Sequence, residues 1–219
     1  IGNGKVARTA TVGTAGLTDP DLARWIDAEV AFPNSMVDRI TPATTDADRQ
    51  WLLDERGVID RSPVVTEPFR QWVLEDSFVG EIPPFDEVGV LVTADVEPYE
   101  ILKLRLLNAS HSCLAYLAAL AGFELVDQVI RADDFRTFVR DFMFQEAIPV
   151  LPPVSGVDVP AYATQLMERF ANPAIGDQIS RLCLDGSSKF PKFLLPTVRA
   201  RLARGESVSF AALALAGWC

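Results

Sequence analysis

Glu97-Pro98-Tyr99-Glu100-Ile101-Leu102-Lys103-Leu104-Arg105-Leu106-Leu107-Asn108-Ala109-Ser110-His111 is the stretch that decides the fold. An acidic residue followed by proline is a good opening for a helix, because proline's missing N–H costs nothing in the first turn. From there the apolar pattern runs on to Gly122, a natural stop. Leucine and isoleucine occupy nearly every side of this segment, so it reads as one long helix buried all round. Among the polar side chains that interrupt it are Lys103, Asn108 and His111. At about 100° per residue they project at roughly 0°, 140° and 80°, within one arc. Lys103 and His111 are nonetheless about 12 Å apart along a regular axis, so a distorted turn would help them meet. A lysine in such a helix is expected to have a partner or a function, since burying its charge is expensive.

Working outward, everything after Asp95 reads as helical. Further helices are expected over 133–147, 159–171, 174–184 and 190–204, with a proline-rich link between Pro149 and Pro160. The first 95 residues are mixed. Helices are expected over 17–31 and from Thr44 to Gly57, and extended segments over 32–42, 63–75 and 85–92. The fold class is therefore mainly α with an α/β N-terminal portion. The division falls as 1–95, a remnant of an N-terminal domain, and 96–219, a helical domain. Trp25, Trp51 and Trp72 are assigned to core packing. Ser110 is expected to bond back within its helix.

Composition narrows the function. The chain has 219 residues, 49% hydrophobic and 23% charged, with a net charge of -10. That charge argues against nucleic acid or an anionic membrane as partner. Arg199, Arg201 and Arg204 form only a short cluster, read as a solvated helix face. Cys113, Cys183 and Cys219 make no CxxC pair, and His111 is the single histidine, so no metal is expected. With no signal peptide and no apolar run long enough to span a bilayer, the expected location is the cytoplasm. The chain opens without methionine and stops in the apolar run Phe210–Cys219, so both ends read as cut from a longer protein.

The spacing Lys-x4-Asn-x2-His, within Lys-Leu-Arg-Leu-Leu-Asn-Ala-Ser-His-Ser, closely resembles the catalytic helix of the polyol-specific long-chain dehydrogenases, the mannitol dehydrogenase family. The run Phe32-Pro33-Asn34-Ser35-Met36-Val37-Asp38-Arg39-Ile40-Thr41-Pro42 is similar to that family's second signature, about 60 residues earlier. Similarity continues through Glu67-Pro68-Phe69 and through Asp185-Gly186-Ser187-Ser188-Lys189-Phe190-Pro191. The resemblance implies a two-domain, zinc-independent enzyme. A Rossmann domain would hold NAD, with NADP the alternative, and a helical domain like that of 6-phosphogluconate dehydrogenase would close over a small polyol or ketose. It also implies Lys103 as general acid/base, Asn108 as hydrogen-bond donor to the reacting oxygen, and His111 as a positioning group. Val37, Asp38, Arg181 and Lys189 would line the substrate. D-mannitol and D-fructose are the first substrate pair; fructuronate and tagaturonate, reduced by sugar-acid relatives, come second. Isolated, the chain is expected to be catalytically silent, and nothing in it fixes the oligomeric state, for which a monomer is plausible.

No GxGxxG follows a strand and opens a helix, and Gly2-Asn3-Gly4 is a two-glycine match only. The cofactor-binding residues are accordingly expected outside this chain, and the family resemblance implies that one catalytic asparagine lies just before Ile1.

Overall fold

The structure is a computed structural model, which describes residues 2–219. In chain order the elements are α1 (Asn3–Gly16), α2 (Pro20–Glu29), β1 (Ser35–Asp38), α3 (Asp46–Arg56), β2 (Gln71–Glu75), β3 (Leu91–Thr93) and α4 (Glu97–Lys103). Then follow α5 (Ala109–Leu120), α6 (Val126–Arg131), α7 (Asp133–Asp141), α8 (Val159–Phe170), α9 (Ile179–Leu182), α10 (Gly186–Phe193), α11 (Leu195–Leu202) and α12 (Ser209–Trp218). The chain is mainly α with one small sheet. Contacts group it into two compact units, Ile1–Asp38 with Phe69–Ile101, and Arg39–Pro68 with Leu102–Cys219. The expected split after residue 95 is a cut along the sequence, whereas these units are interleaved.

In the first unit, α1 and α2 form a helical hairpin clipped by an Arg8–Asp27 ion pair. Asp19 caps α2, its carboxylate accepting from Asp21 N and Leu22 N, and Pro20 takes the first helical position. α1 is absent from the sequence-based expectation because alanine, threonine and glycine give it little apolar stripe. The sheet runs β1-β2-β3, with β1 antiparallel to β2 and β2 parallel to β3. The expected strand over 85–92 divides in two. Phe85–Val88 is a 3-10 turn that follows Pro83-Pro84 and ends at Gly89 in the left-handed region, and only Leu91–Thr93 pairs.

In the second unit, Thr45 and Asp48 form a reciprocal capping box that starts α3, and Gly57 ends it at φ 64°. The 63–68 part of the expected strand pairs with no strand. It is held instead by Thr66 Oγ1 and Glu67 N, both donating to Ile40 O. Deeper in this unit α5 packs against α9, α10 and α12, with Ala109, Cys113, Leu114, Ala115 and Ala118 all buried. The apolar tail therefore has a home: Phe210–Trp218 is a helix on α5. Its first turn is capped by the buried Glu146 carboxylate, which accepts from Phe210 N (2.9 Å) and Ala211 N (3.0 Å).

Three further expectations shift. The 174–184 helix shrinks to α9, because Leu125 and Gln178 form an isolated antiparallel bridge that holds the preceding residues extended. The 190–204 helix begins earlier, at Gly186, and is interrupted at Leu194, ahead of Pro196. Trp25 and Trp51 are more than half exposed rather than core. Trp72 is also exposed; its indole N–H donates to Ser35 Oγ (2.8 Å) and its ring lies against Phe85.

Candidate active site

The helix expected to run unbroken from Glu97 to Gly122 is interrupted where the three polar residues lie. Leu104–Asn108 is a π-helical segment between α4 and α5, and Ala109 N donates to Leu104 O, five residues back. In an α-helix the bonded residues, four apart, share a face. Here the bonded spacing at Ala109 is five, so the turn that contains Asn108 is wider than that of a regular helix. Such insertions are rare in helices and concentrate at functional positions. This is the kind of distorted turn that the regular-helix geometry lacked.

Lys103 and Asn108 are half-buried and His111 is buried. The Asn108 carbonyl accepts from Ser112 Oγ (3.0 Å). Ser112, rather than Ser110, thus makes the back-bond within the helix, and Ser110 Oγ is buried with no hydrogen-bond partner among the described residues. The His111 ring lies on Phe170, with centroids 4.3 Å apart and planes 31° apart. Arg105 points elsewhere: its Nη1 donates to Val150 O (3.1 Å), and burial lowers the pKa of its guanidinium.

Arg181 and Lys189 lie in the same unit as this helix. Arg181 Nε and Nη2 both donate to Asp177 Oδ1 (2.9 and 2.5 Å). Lys189 Nζ donates to Leu182 O (3.0 Å), and burial, with the Arg181 charge adding to it, holds its ammonium below the usual lysine pKa. Two cations near one another, one of them partly desolvated, favour an anionic or oxygen-rich partner. Val37 and Asp38 belong to the first unit, at the end of β1; Val37 is exposed and Asp38 wholly buried. Arg39, the next residue, directs its Nε to Glu67 O (3.0 Å).

Sequence reasoning missed the carboxylates that brace these residues. Glu67 is 2% exposed and Arg169 7% exposed; Glu67 accepts from Arg169 Nε (2.9 Å), Arg169 Nη2 (2.6 Å) and Ile40 N (2.6 Å). Asp127, Glu146 and Asp177 are likewise buried. Their partners lie in other helices or loops or, for Arg131 and Arg181, one helical turn away on short helices. The only signal open to sequence was the rarity of buried acidic side chains.

The nucleotide platform is a separate question. A dinucleotide cradle needs free N–H groups at a glycine-rich helix start. The glycine-rich start of α1 does not fit. Gly2 N donates to both Glu100 carboxylate oxygens (2.9 and 3.2 Å), and a Cβ built on Gly4 would lie 2.1 Å from Phe32 O. A carboxylate and packed backbone already fill that helix end.

The fold and these side chains define a two-unit, mainly helical chain with a polar cluster on an interrupted core helix. The chain belongs to the mannitol dehydrogenase family: the mannitol dehydrogenase Rossmann domain matches residues 1–87 and the mannitol dehydrogenase C-terminal domain matches residues 95–219. A mannitol dehydrogenase of Saccharomyces cerevisiae is 45% identical over 218 residues, covering 99% of this chain and 43% of the yeast protein. D-mannonate oxidoreductase of Escherichia coli is 46% identical over 216 residues, 99% of this chain and 44% of that protein. Among solved structures, Pseudomonas fluorescens mannitol 2-dehydrogenase in ternary complex with NAD and D-mannitol superposes with a TM-score of 0.89 at 48% identity. That match covers 99% of this chain and 44% of the other. The chain thus spans less than half the length of the relatives it matches. No helix among the described residues is long and apolar enough to cross a membrane.

Proposed function

We propose that this chain is the substrate-binding and catalytic part of an NAD-dependent polyol dehydrogenase that interconverts D-mannitol and D-fructose without a metal. The observation that carries the reading is the π-helical turn at Leu104–Asn108, which begins directly after Lys103 and ends at Asn108 within the family-matched region. Residues 1–95 are assigned to the nucleotide-side domain and 96–219 to the substrate domain. NAD, held by chain beyond these residues, supplies the hydride acceptor; NADP is the alternative.

The protein's own part in the oxidation is to move one proton and hold one oxygen. Lys103 Nζ, in its neutral form, takes the hydroxyl proton as the C–H hydride departs and the C–O bond becomes a carbonyl; reduction reverses both. A lysine serves as a base near neutral pH only where its pKa is lowered. Asn108 donates a hydrogen bond to the oxygen while negative charge builds on it. His111, its ring set against Phe170, orients the same oxygen. Val37, Asp38, Arg181 and Lys189 hold the remaining hydroxyls. Replacing Lys103 with alanine in the full-length parent should lower kcat by about 10²–10⁴-fold. Near-normal turnover in Lys103→Ala overturns the assignment.

A second reading, reduction of a sugar acid such as fructuronate or tagaturonate, is favoured by the Escherichia coli relative named for D-mannonate and by the Arg181–Lys189 pair of cations. Either cation suits a carboxylate. Comparing kcat/KM of the full-length parent on mannitol and mannonate, each with NAD and NADP, separates the two readings. As an isolated chain the protein is expected to be silent and to bind NAD weakly; tight NAD binding by this chain alone overturns the placement of the cofactor elsewhere.

A further inference from the structure

Asp127 and Asp177 sit on two segments that are stitched side by side. Val126 N donates to Asp177 O (3.0 Å), Ile179 N donates to Glu124 O (2.9 Å), and Leu125 bridges Gln178. Both residues line one small cavity, together with His111, Arg169, Phe170 and Asn172. Asp127 is 5% exposed and Asp177 4%. On each carboxylate one oxygen meets an arginine: Asp127 Oδ2 lies 3.0 Å from Arg131 Nη2, and Asp177 Oδ1 accepts twice from Arg181. The other two oxygens, Asp127 Oδ1 and Asp177 Oδ2, are fully buried with no hydrogen-bond donor among the described residues. An orphaned carboxylate oxygen is costly, and native proteins rarely leave one.

The cavity offers about 10 Å³, the space of a single water molecule. We propose that one tightly held water fills it, donating one hydrogen to Asp127 Oδ1 and the other to Asp177 Oδ2, and that this bridge fixes Asp177 in the position from which it clamps Arg181. Two acceptors and two donated hydrogens match in number. A metal ion does not match: each carboxylate is already paired with a guanidinium, and among the described residues no three His, Cys, Asp or Glu side chains are grouped to hold one. Asp177 is thus a positioning residue that acts on substrate through Arg181. That link rests on the substrate role proposed for Arg181; the water site itself does not.

The test is a crystal structure of the full-length parent at a resolution that shows ordered waters, with a second crystal soaked in thallium(I). The expected result is one peak within hydrogen-bond distance of both oxygens and no anomalous thallium signal there. An empty cavity, a thallium peak, or the two carboxylates in direct contact sharing a proton overturns the proposal. The second arm is Asp127→Leu, which removes one water acceptor without touching Arg181. KM for the polyol should rise severalfold, to about tenfold, with kcat within about twofold. An unchanged KM overturns the link to Arg181. The diffraction result reads the water whether or not the parent oxidises a polyol, so its failure is separable from failure of the enzymatic reading.

Discussion

Replacing Glu67 with glutamine tests whether one buried ion pair holds residues 39–68 to the helices of their unit. Glu67 and Arg169 are both nearly inaccessible, and three short bonds end on the Glu67 carboxylate: two from the Arg169 guanidinium and one from Ile40 N. In Glu67→Gln one oxygen can still serve Ile40 N, but the amide NH₂ then faces a guanidinium donor. The Arg169 guanidinium then loses the Glu67 charge that its Nε and Nη2 bond. Removing one partner of a buried pair costs about 3–5 kcal/mol, against about 0–1 kcal/mol for an exposed pair. In a chain of this size each kcal/mol moves the thermal midpoint by roughly 2–4 °C, so the midpoint should fall by about 6–20 °C. The double variant Glu67→Leu/Arg169→Met, which removes both charges of this pair, should recover much of that loss. Circular dichroism melts of the wild type, Glu67→Leu, Arg169→Met and the double variant give the coupling energy directly. A loss below about 1 kcal/mol in Glu67→Gln, or strictly additive single and double effects, would refute the reasoning.

Two other expectations concern the same unit. Glu146→Gln should loosen α12, because its carboxylate caps two backbone N–H groups at the start of that helix. A charged acceptor contributes about 1.5–3 kcal/mol per bond, so hydrogen exchange at Phe210 and Ala211 should accelerate well before global unfolding. Exchange at those amides matching the wild type would contradict the capping role. The cysteines should alkylate in the order Cys219, Cys183, Cys113. Cys219 is exposed; burial raises the pKa of the Cys183 thiol, and both burial and the Glu146 charge raise that of Cys113 far above the usual range. A raised pKa leaves less thiolate at any given pH. Mass spectrometry after a timed iodoacetamide pulse checks it, and early labelling of Cys113 in folded protein would be inconsistent with its burial.

Much of the fold is legible where local chemistry sets it. Asp19-Pro20, Thr45-x-x-Asp48 and Gly57 mark helix ends as capping rules require, and each does so in the structure. The apolar run after Glu97 is helical, as its pattern demands. The failures have a common cause. α1 lacks an apolar stripe, Phe85–Val88 alternates like a strand but follows two prolines, and the 174–184 helix is shortened by a bridge to Leu125. In each case a contact outside the reading window, or the weakness of the pattern inside it, overrides propensity.

The candidate site divides along the same line. Lys103, Asn108 and His111 are conspicuous because each is a polar residue in a leucine-rich helix, an anomaly visible within nine residues. The π-turn that relates Lys103 to Asn108 is invisible in sequence, since it changes the spacing of bonded residues without changing any residue type. Glu67, Asp127 and Asp177 are invisible for the opposite reason: acidic residues are ordinary in sequence and become exceptional only when folding buries them. Their buried charges are met by Arg169, Arg131 and Arg181, and the Glu67 pair spans 102 residues of sequence. Burying a charged network is tolerable only if every member is satisfied. Asp127 Oδ1 and Asp177 Oδ2, which meet no donor among the described residues, therefore weigh as much as the bonds that are made. They are where the proposed water would donate, on a cavity that His111 also lines.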